Sequence, residues 1–252
     1  MATRAEVEEQ RQQQGDIRTL AVAALVSLWG GAAAADPLAV EAELVQRLPE
    51  IVAQYGAMSA AVAADFYDSL RHGVPGRFVA SPSDLNLAEQ VAASARWASS
   101  PLFPRDVTTD DGRKAHVPAD ADKALDRASA VLQRNVLQYG RQTIADNARR
   151  DPADARWARV PTGDETCAWC RILASRGAVY ESEQSAQFIG ESKDKYHDWC
   201  DCQPIAVWRD SELPEGYDPD KYMQQYEDAK AQSRSGDIRS IAAHMREQLG
   251  VK

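Results

Sequence analysis

Apolar residues recur at steps of three and four along the first 150 residues, which is the spacing of helices that bury one face. The clearest set is Leu44, Leu48, Ile51, Tyr55, Met58, Val62, Phe66 and Leu70. Asp36-Pro37 precedes this set and provides a helix start, and His72-Gly73 follows it and provides a stop. Pro49 lies inside the set, so we expect it to kink or divide the helix.

Similar patterns predict the other elements of the front part. We expect one helix to end at residues 30–31, a second to run over residues 83–99 and a third to end near residue 150. Residues 100–118 contain three prolines and show no steady period, so they are expected to form a loop.

The pattern changes in the last third of the chain. Residues 167–174 are expected to form one or two helical turns. Residues 178–180 and 203–208 are typical of short strands, and residues 219–233 and 236–249 of helices. The predicted fold class is therefore mainly α, with a small α+β Cys/His module in the C-terminal third.

Composition supports a division of the chain. Alanine is abundant before residue 160 and scarce in the fifty residues that follow. We therefore predict an Ala-rich helical domain over residues 1–154, the Cys/His module over 155–212 and a helical tail over 213–252. A chain of 252 residues has room for such an arrangement.

Charge narrows the range of functions. Lys and Arg total 29 against 38 Asp and Glu, giving a net charge of −9, so a protein-wide basic surface for nucleic acid is excluded. Residues 19–35 are uncharged and imitate an export signal, but a net negative segment precedes them where such a signal is positive. We expect no export and no membrane span, and hence cysteines in a reducing compartment.

The cysteines carry the most specific chemistry. All 4 lie between residues 167 and 202, in a C-x-x-C pair and a later C-x-C pair preceded by a histidine. Two such pairs can surround a tetrahedral zinc ion, which would be structural because the few histidines are scattered. The candidate ligands are Cys167, Cys170, His197, Cys200 and Cys202, five for four positions. Disulfides are the main alternative and buried free thiols a further one, whereas a redox C-x-x-C is disfavoured because no βαβ setting precedes it.

Two segments around these cysteines resemble the MuF-like minor head proteins of tailed bacteriophages, especially the stand-alone forms of actinobacteriophages. They are GDETCAWCRILASRGAVY and YHDWCDCQPIAVW. The resemblance implies a structural protein of the virion that associates with the portal or the capsid interior. It further implies incorporation during head assembly in the host cytoplasm, a role in DNA packaging or ejection, and partners that are the portal or major capsid protein rather than a substrate.

An enzyme is the first alternative. Glu181 and Glu183, after Tyr180, imitate the E-x-E pair of arginine-specific ADP-ribosyltransferases. The upstream arginine strand and the Ser-Thr-Ser strand that such enzymes also need have no convincing match, and neither a nucleophile elbow nor a phosphate-binding loop is found. We therefore expect no catalytic activity.

Weak DNA contact by a zinc-stabilised module is the second alternative. Basic residues surround Trp157 near the end of the third helix, and this combination can contact phosphates and stack on bases. They are Arg141, Arg149, Arg150, Arg156 and Arg159. Interleaved aspartates reduce the local excess of positive charge. Trp169 and Trp199 are expected to pack around the cysteine site.

Overall fold

The computed structural model describes residues 1–32, 36–109, 111–163, 166–178, 200, 202–208, 213–233 and 235–251. Within them the fold is mainly α, as predicted. The helices are α1 (Arg4–Ala32), α2 (Pro37–Leu70), α3 (Ala88–Ser99), α4 (Ala121–Arg150), α5 (Ala168–Ala174), α6 (Pro219–Gln232) and α7 (Ile238–Leu249). No helix in this part of the chain is long and apolar enough to cross a membrane.

In the described part of the chain, four short strands form two separate antiparallel pairs. Strands β1 (Arg105–Thr108) and β2 (Lys114–Val117) form a hairpin that follows a 3₁₀ turn at Ser100–Leu102. Strands β3 (Arg156–Pro161) and β4 (Cys202–Val207) pair over their full length, with Pro161 opposite Cys202. The second pair places the start of β4 beside the end of β3.

Helices α1 to α4 form a body with a continuous apolar core. Leu25, Leu44, Leu48 and Leu132 are almost completely buried in it. The helix predicted from Asp36 to Gly73 is confirmed, and it continues through Pro49 instead of being divided there. Proline removes one backbone donor, and the buried side chains on both sides of it keep this helix packed against its neighbours.

Leu44, Leu48 and Phe66 of the predicted apolar face of α2 are buried. Between Leu48 and Phe66 the buried positions are mostly small residues such as Gly56 and Ala60, whereas Met58 is 43% exposed and Ile51 only half-buried. The reason is the close approach of α4. A Cβ atom added to Gly56 would overlap the ring of Tyr139, so only glycine lets the two helices meet there.

The boundaries of two other predicted segments also change. Helix α3 begins at Ala88, later than the predicted start at residue 83. Residues 100–118 were expected to be a loop, but they contain the β1–β2 hairpin, whose turn uses Gly112 at a φ of 79°. Four residues are too few for a strand period to stand out from a loop, and none of the eight side chains is fully buried, although β2 alternates between exposed and half-buried positions.

A second apolar cluster joins the ends of α2 and α4 to strands β3 and β4. Tyr67, Trp157 and Ile205 are almost fully buried in it. Its residues come from both sides of position 154, where the sequence predicts a boundary between the helical domain and the Cys/His module. That division stays a prediction, and the two predicted units share this cluster.

Helices α6 and α7 confirm the predicted C-terminal helical segments and pack against α5. Ile172 of α5 meets Ile241 and Met245 of α7 in a third cluster. The short helix predicted from residue 167 is confirmed as α5, and the strand predicted from residue 203 as β4. The strand predicted at 178–180 falls largely outside the described residues.

Candidate metal centre

The four cysteines lie where α5 meets the start of β4. Cys167 is the N-cap of α5 and Cys170 lies in its first turn. Cys200 precedes β4, and Cys202 is its first residue. Because β4 pairs along all of β3, the C-x-C pair is held beside α5, and the sequence-predicted cysteines come together in one buried cluster.

Short sulfur–sulfur distances define this cluster. The Sγ atoms of Cys170 and Cys200 lie 3.3 Å apart, and those of Cys200 and Cys202 lie 3.2 Å apart. A disulfide bond is about 2.05 Å long, so these are contacts between separate sulfurs, and all four cysteines are free. The disulfide alternative is thus not the arrangement found here.

The donor set fits a metal ion. The three Sγ atoms of Cys170, Cys200 and Cys202 all lie within 4.8 Å of one another and are buried, so they could hold a metal ion. A tetrahedral zinc ion with Zn–S bonds of about 2.3 Å keeps its sulfurs about 3.8 Å apart, close to these separations. His197, the fifth candidate ligand, lies outside the described residues.

Cys167 belongs to the same buried cluster but is not one of the three residues whose Sγ atoms all lie within 4.8 Å of one another. Its Sγ atom accepts a hydrogen bond from the backbone N–H of Cys170 at 3.3 Å. An N–H donor at a helix N-terminus stabilises negative charge on the sulfur that faces it. The C-x-x-C spacing creates this contact, because it places the first cysteine at the cap and the second in the first turn.

The cluster is arranged so that protons and a metal compete for the same sulfurs. Hydrogen bonds with Cys167, Cys200 and Cys202, together with burial, raise the pKa of the Cys170 thiol well above its ordinary value. Burial raises the pKa of Cys202 to about 12, although the positive charge of Arg159 opposes this shift. The Cys170 and Cys202 thiols are therefore protonated at neutral pH unless a cation displaces the protons.

Two buried arginines flank the cysteines, and sequence reasoning gave them another role. The Nη2 atom of Arg159 lies 2.7 Å from Sγ of Cys202 and 3.8 Å from Sγ of Cys200. Arg141 donates from Nη2 to the carbonyl oxygen of Cys200 at 2.8 Å and to that of Cys202 at 3.4 Å. Both side chains are buried, to 1% and 7% exposure.

The residues around Trp157 that suggested DNA contact therefore lie partly in the core and partly at the surface. Arg159, Arg141 and Trp157 are buried, whereas Arg149 is exposed and pairs with Asp146 at 2.6 Å. Trp169 packs against the cysteine cluster, as expected. Trp199 and the two glutamates of the transferase pattern, Glu181 and Glu183, lie outside the described residues.

A cleft of about 110 Å³ opens beside the cluster, between α1, α4 and the start of β4. Arg11, Arg18 and Arg141 line it together with Cys200. Arg11 also pairs with Glu8 at 2.6 Å. The described lining thus contains three arginines and no carboxylate, although the whole chain is acidic and Glu8 lies against one of the three.

The fold and the site together define a class of protein, namely a helical protein with a buried four-cysteine cluster. Comparison with known proteins is more specific: the model of the VG15 protein family matches residues 1–229, so the chain belongs to this family. The chain is also similar to two proteins called gene 15 protein. The one of Mycobacterium phage D29 is 30% identical over 188 residues, which cover 64% of this chain and 64% of that protein.

The gene 15 protein of Mycobacterium phage L5 is 31% identical over 186 residues, covering 70% of this chain and 55% of that protein. The chain thus matches between about half and two thirds of the length of these relatives. Both are encoded by bacteriophages, which places the chain in a phage protein family. No solved structure is similar to it.

Proposed function

We propose that this protein is a minor structural protein of the phage head, of the MuF-like type. It enters the particle during head assembly in the host cytoplasm, contacts the portal or the major capsid protein, and acts in DNA packaging or ejection. The observation that carries this proposal is the cysteine cluster. The two sequence segments that resemble MuF-like proteins contribute Cys167 and Cys170 from one side and Cys200 and Cys202 from the other. Membership of a family with phage-encoded relatives agrees with it.

Co-expression tests the role in the head. The chain is produced with the portal and major capsid proteins of the same genome, and each of these is purified through a tag. We expect the chain to co-purify with one of them, whereas an unrelated protein of similar size does not. Retention of the chain in purified particles is the second expected result. Absence from particles together with no association with either partner would contradict the proposal.

The metal part of the proposal is a structural zinc ion held by the cysteine cluster. Elemental analysis of the purified chain should give about one zinc per chain, the content of a single four-ligand site. Cys170→Ser should lower this content, whereas a serine at a site that lacks sulfur neighbours, for example Ala57→Ser on the exposed side of α2, should not. A metal-free chain whose intact mass is lower by two hydrogens per bridge would instead support disulfides.

We propose further that the chain is not an enzyme. The transferase alternative predicts NAD-dependent labelling of an arginine substrate. We expect no labelling above the level of a buffer control. Labelling that disappears in Glu183→Gln would overturn this part of the proposal without affecting the zinc site.

DNA contact at the arginine-lined cleft is the second candidate function, favoured by Arg11 and Arg18 of α1, which both line it. It predicts binding to double-stranded DNA that weakens as salt rises, because phosphate contacts release counterions. Arg18→Ala should weaken this binding and reduce its salt dependence. Arg47→Ala is the matched control, because Arg47 is half-exposed on α2 and pairs with Glu50 at 2.7 Å. Equal binding by both variants would exclude the cleft.

A further inference from the structure

Two arginines that look like surface cations in the sequence are components of the cysteine site. We propose that Arg159 positions the sulfurs of Cys200 and Cys202 for a metal ion through its charged N–H groups, and that Arg141 fixes the backbone that presents them. The proposal rests on the metal site proposed above. It assigns a positioning role to two residues that bind no metal themselves.

Arg159 acts directly on the sulfurs. Its guanidinium group is almost completely buried and reaches the Sγ atoms of Cys202 at 2.7 Å and Cys200 at 3.8 Å. A charged N–H group favours an anionic acceptor, and the effect is strong where water is excluded. A neutral thiol is a weak acceptor for such a donor, whereas a metal-bound thiolate is a good one. The contact therefore suits the metal-bound state of the site.

Arg141 acts through the backbone. It comes from α4 and donates to the carbonyl oxygens of Cys200 and Cys202, so one side chain spans both ends of the C-x-C pair. In a regular strand, both cysteine side chains of this pair lie on the same side of the backbone. The two contacts with carbonyl oxygens hold the backbone from which these side chains project. The side chain also anchors the start of β4 to the helical body.

Elements outside the cysteine motifs thus support the site. Arg159 belongs to β3 and Arg141 to the middle of α4. Residues that contact metal ligands in this way typically change metal affinity by about 10–100-fold when they are replaced. A metal bound to the cysteines would accordingly gain affinity from the folded helical body as well as from the short module.

The test is zinc affinity, measured by competition with a chromogenic chelator on the full chain. Arg159→Met should weaken zinc binding by about 10–100-fold, and Arg159→Lys should recover most of it because the positive charge is kept. Arg141→Met should weaken binding by about ten-fold, since only the backbone support is lost.

Arg71→Met is the matched control. Arg71 is as buried as Arg141, at 7% exposure, but it pairs with Asp151 and contacts none of the cysteines through any described hydrogen bond. Its replacement should lower the unfolding temperature and leave the zinc affinity of the folded chain unchanged. If Arg159→Met and Arg71→Met bind zinc equally well, the proposed role of Arg159 is wrong.

A second Arg159 variant and the zinc uptake of the wild-type chain complete the test. If Arg159→Met does not fold, Arg159→Gln replaces it, because glutamine keeps an N–H donor without the charge. Zinc affinity about ten-fold lower for Gln than for Lys supports the role of the charge, and equal affinity overturns it. A wild-type chain that takes up no zinc overturns the metal site and this proposal together. That failure appears before any arginine is changed and is therefore distinct from a failure of the arginine variants alone.

Discussion

Replacing Asp151 by asparagine should destabilise the protein more than any comparable change at its surface. Asp151 follows α4, and its carboxylate is completely buried. Arg71 forms two hydrogen bonds with it, at 2.7 and 2.9 Å. The hydroxyl of Tyr67 and the indole N–H of Trp208 donate to it as well, each at 3.0 Å. The group therefore joins the end of α2 to the end of β4.

Two independent considerations give the free energy of unfolding that Asp151→Asn should lose. Burial alone would raise the pKa of Asp151, but hydrogen bonds from Arg71, Ala153, Trp208 and Tyr67 outweigh it and lower the pKa from 3.8 to about 2. At about 1.4 kcal/mol per pKa unit, the ionised carboxylate contributes about 2 kcal/mol to folding. Asparagine also leaves the buried charge of Arg71 without its counterion, for which a loss of about 3–5 kcal/mol is usual. We expect Asp151→Asn to cost about 2–4 kcal/mol at pH 7.

Urea unfolding followed by circular dichroism measures this loss. Glu8→Gln is the control, because Glu8 pairs with Arg11 on the exposed side of α1 and should contribute less than about 1 kcal/mol. The double variant Arg71→Met with Asp151→Leu should recover much of the stability, since it removes both charges together.

The pH dependence provides a second check. The folded pKa of Asp151 lies below its unfolded value, so the stabilisation is present above about pH 4 and is lost as the pH falls towards 2. The difference between wild type and Asp151→Asn should therefore shrink over this interval. A loss of less than about 1 kcal/mol, or one that is the same at pH 7 and pH 2.5, would refute the reasoning.

Two other predictions concern packing and domain organisation. Gly56→Ala should cost about 1–3 kcal/mol in thermal unfolding, because the new methyl group would overlap the ring of Tyr139. Gly15→Ala, where nothing lies within 4 Å, should be neutral or slightly stabilising, and equal losses for both would contradict the close contact. Cys170→Ser should weaken the Cys/His module, so that limited proteolysis cuts after about residue 155 and leaves a helical N-terminal fragment. Uniform digestion of both parts would instead indicate one cooperative unit.

The elements that could be predicted from the sequence are those in which one physical signal dominates. Helix α4 combines an apolar period with Asp151-Pro152 as its stop, and its predicted end near residue 150 is confirmed. The small buried positions of α2 between Leu48 and Phe66 could not be predicted, because glycine, serine and alanine carry little hydrophobic signal. Their importance arises from how closely α4 approaches, which is a property of the assembled fold.

The candidate metal site also combines residues that the sequence predicts with residues that it does not. The cysteines were recognisable because their spacing is itself the signal for metal binding. Strand β3 was missed because Arg159 interrupts the apolar run between Trp157 and Val160. A basic residue in a sequence is normally assigned to the surface, and only the register between β3 and β4 shows that this one faces the sulfurs.

The β1–β2 hairpin has a practical consequence for testing whether the protein is present in phage particles. Neither strand packs extensively against another described element, and Arg105 is directly paired with Val117. The two ends of the hairpin are therefore neighbours, so a segment inserted near Gly112 does not separate α3 from α4. An epitope or an electron-dense label at this exposed tip would mark each copy of the chain by electron microscopy, with the helical core and the cysteine cluster left as they are.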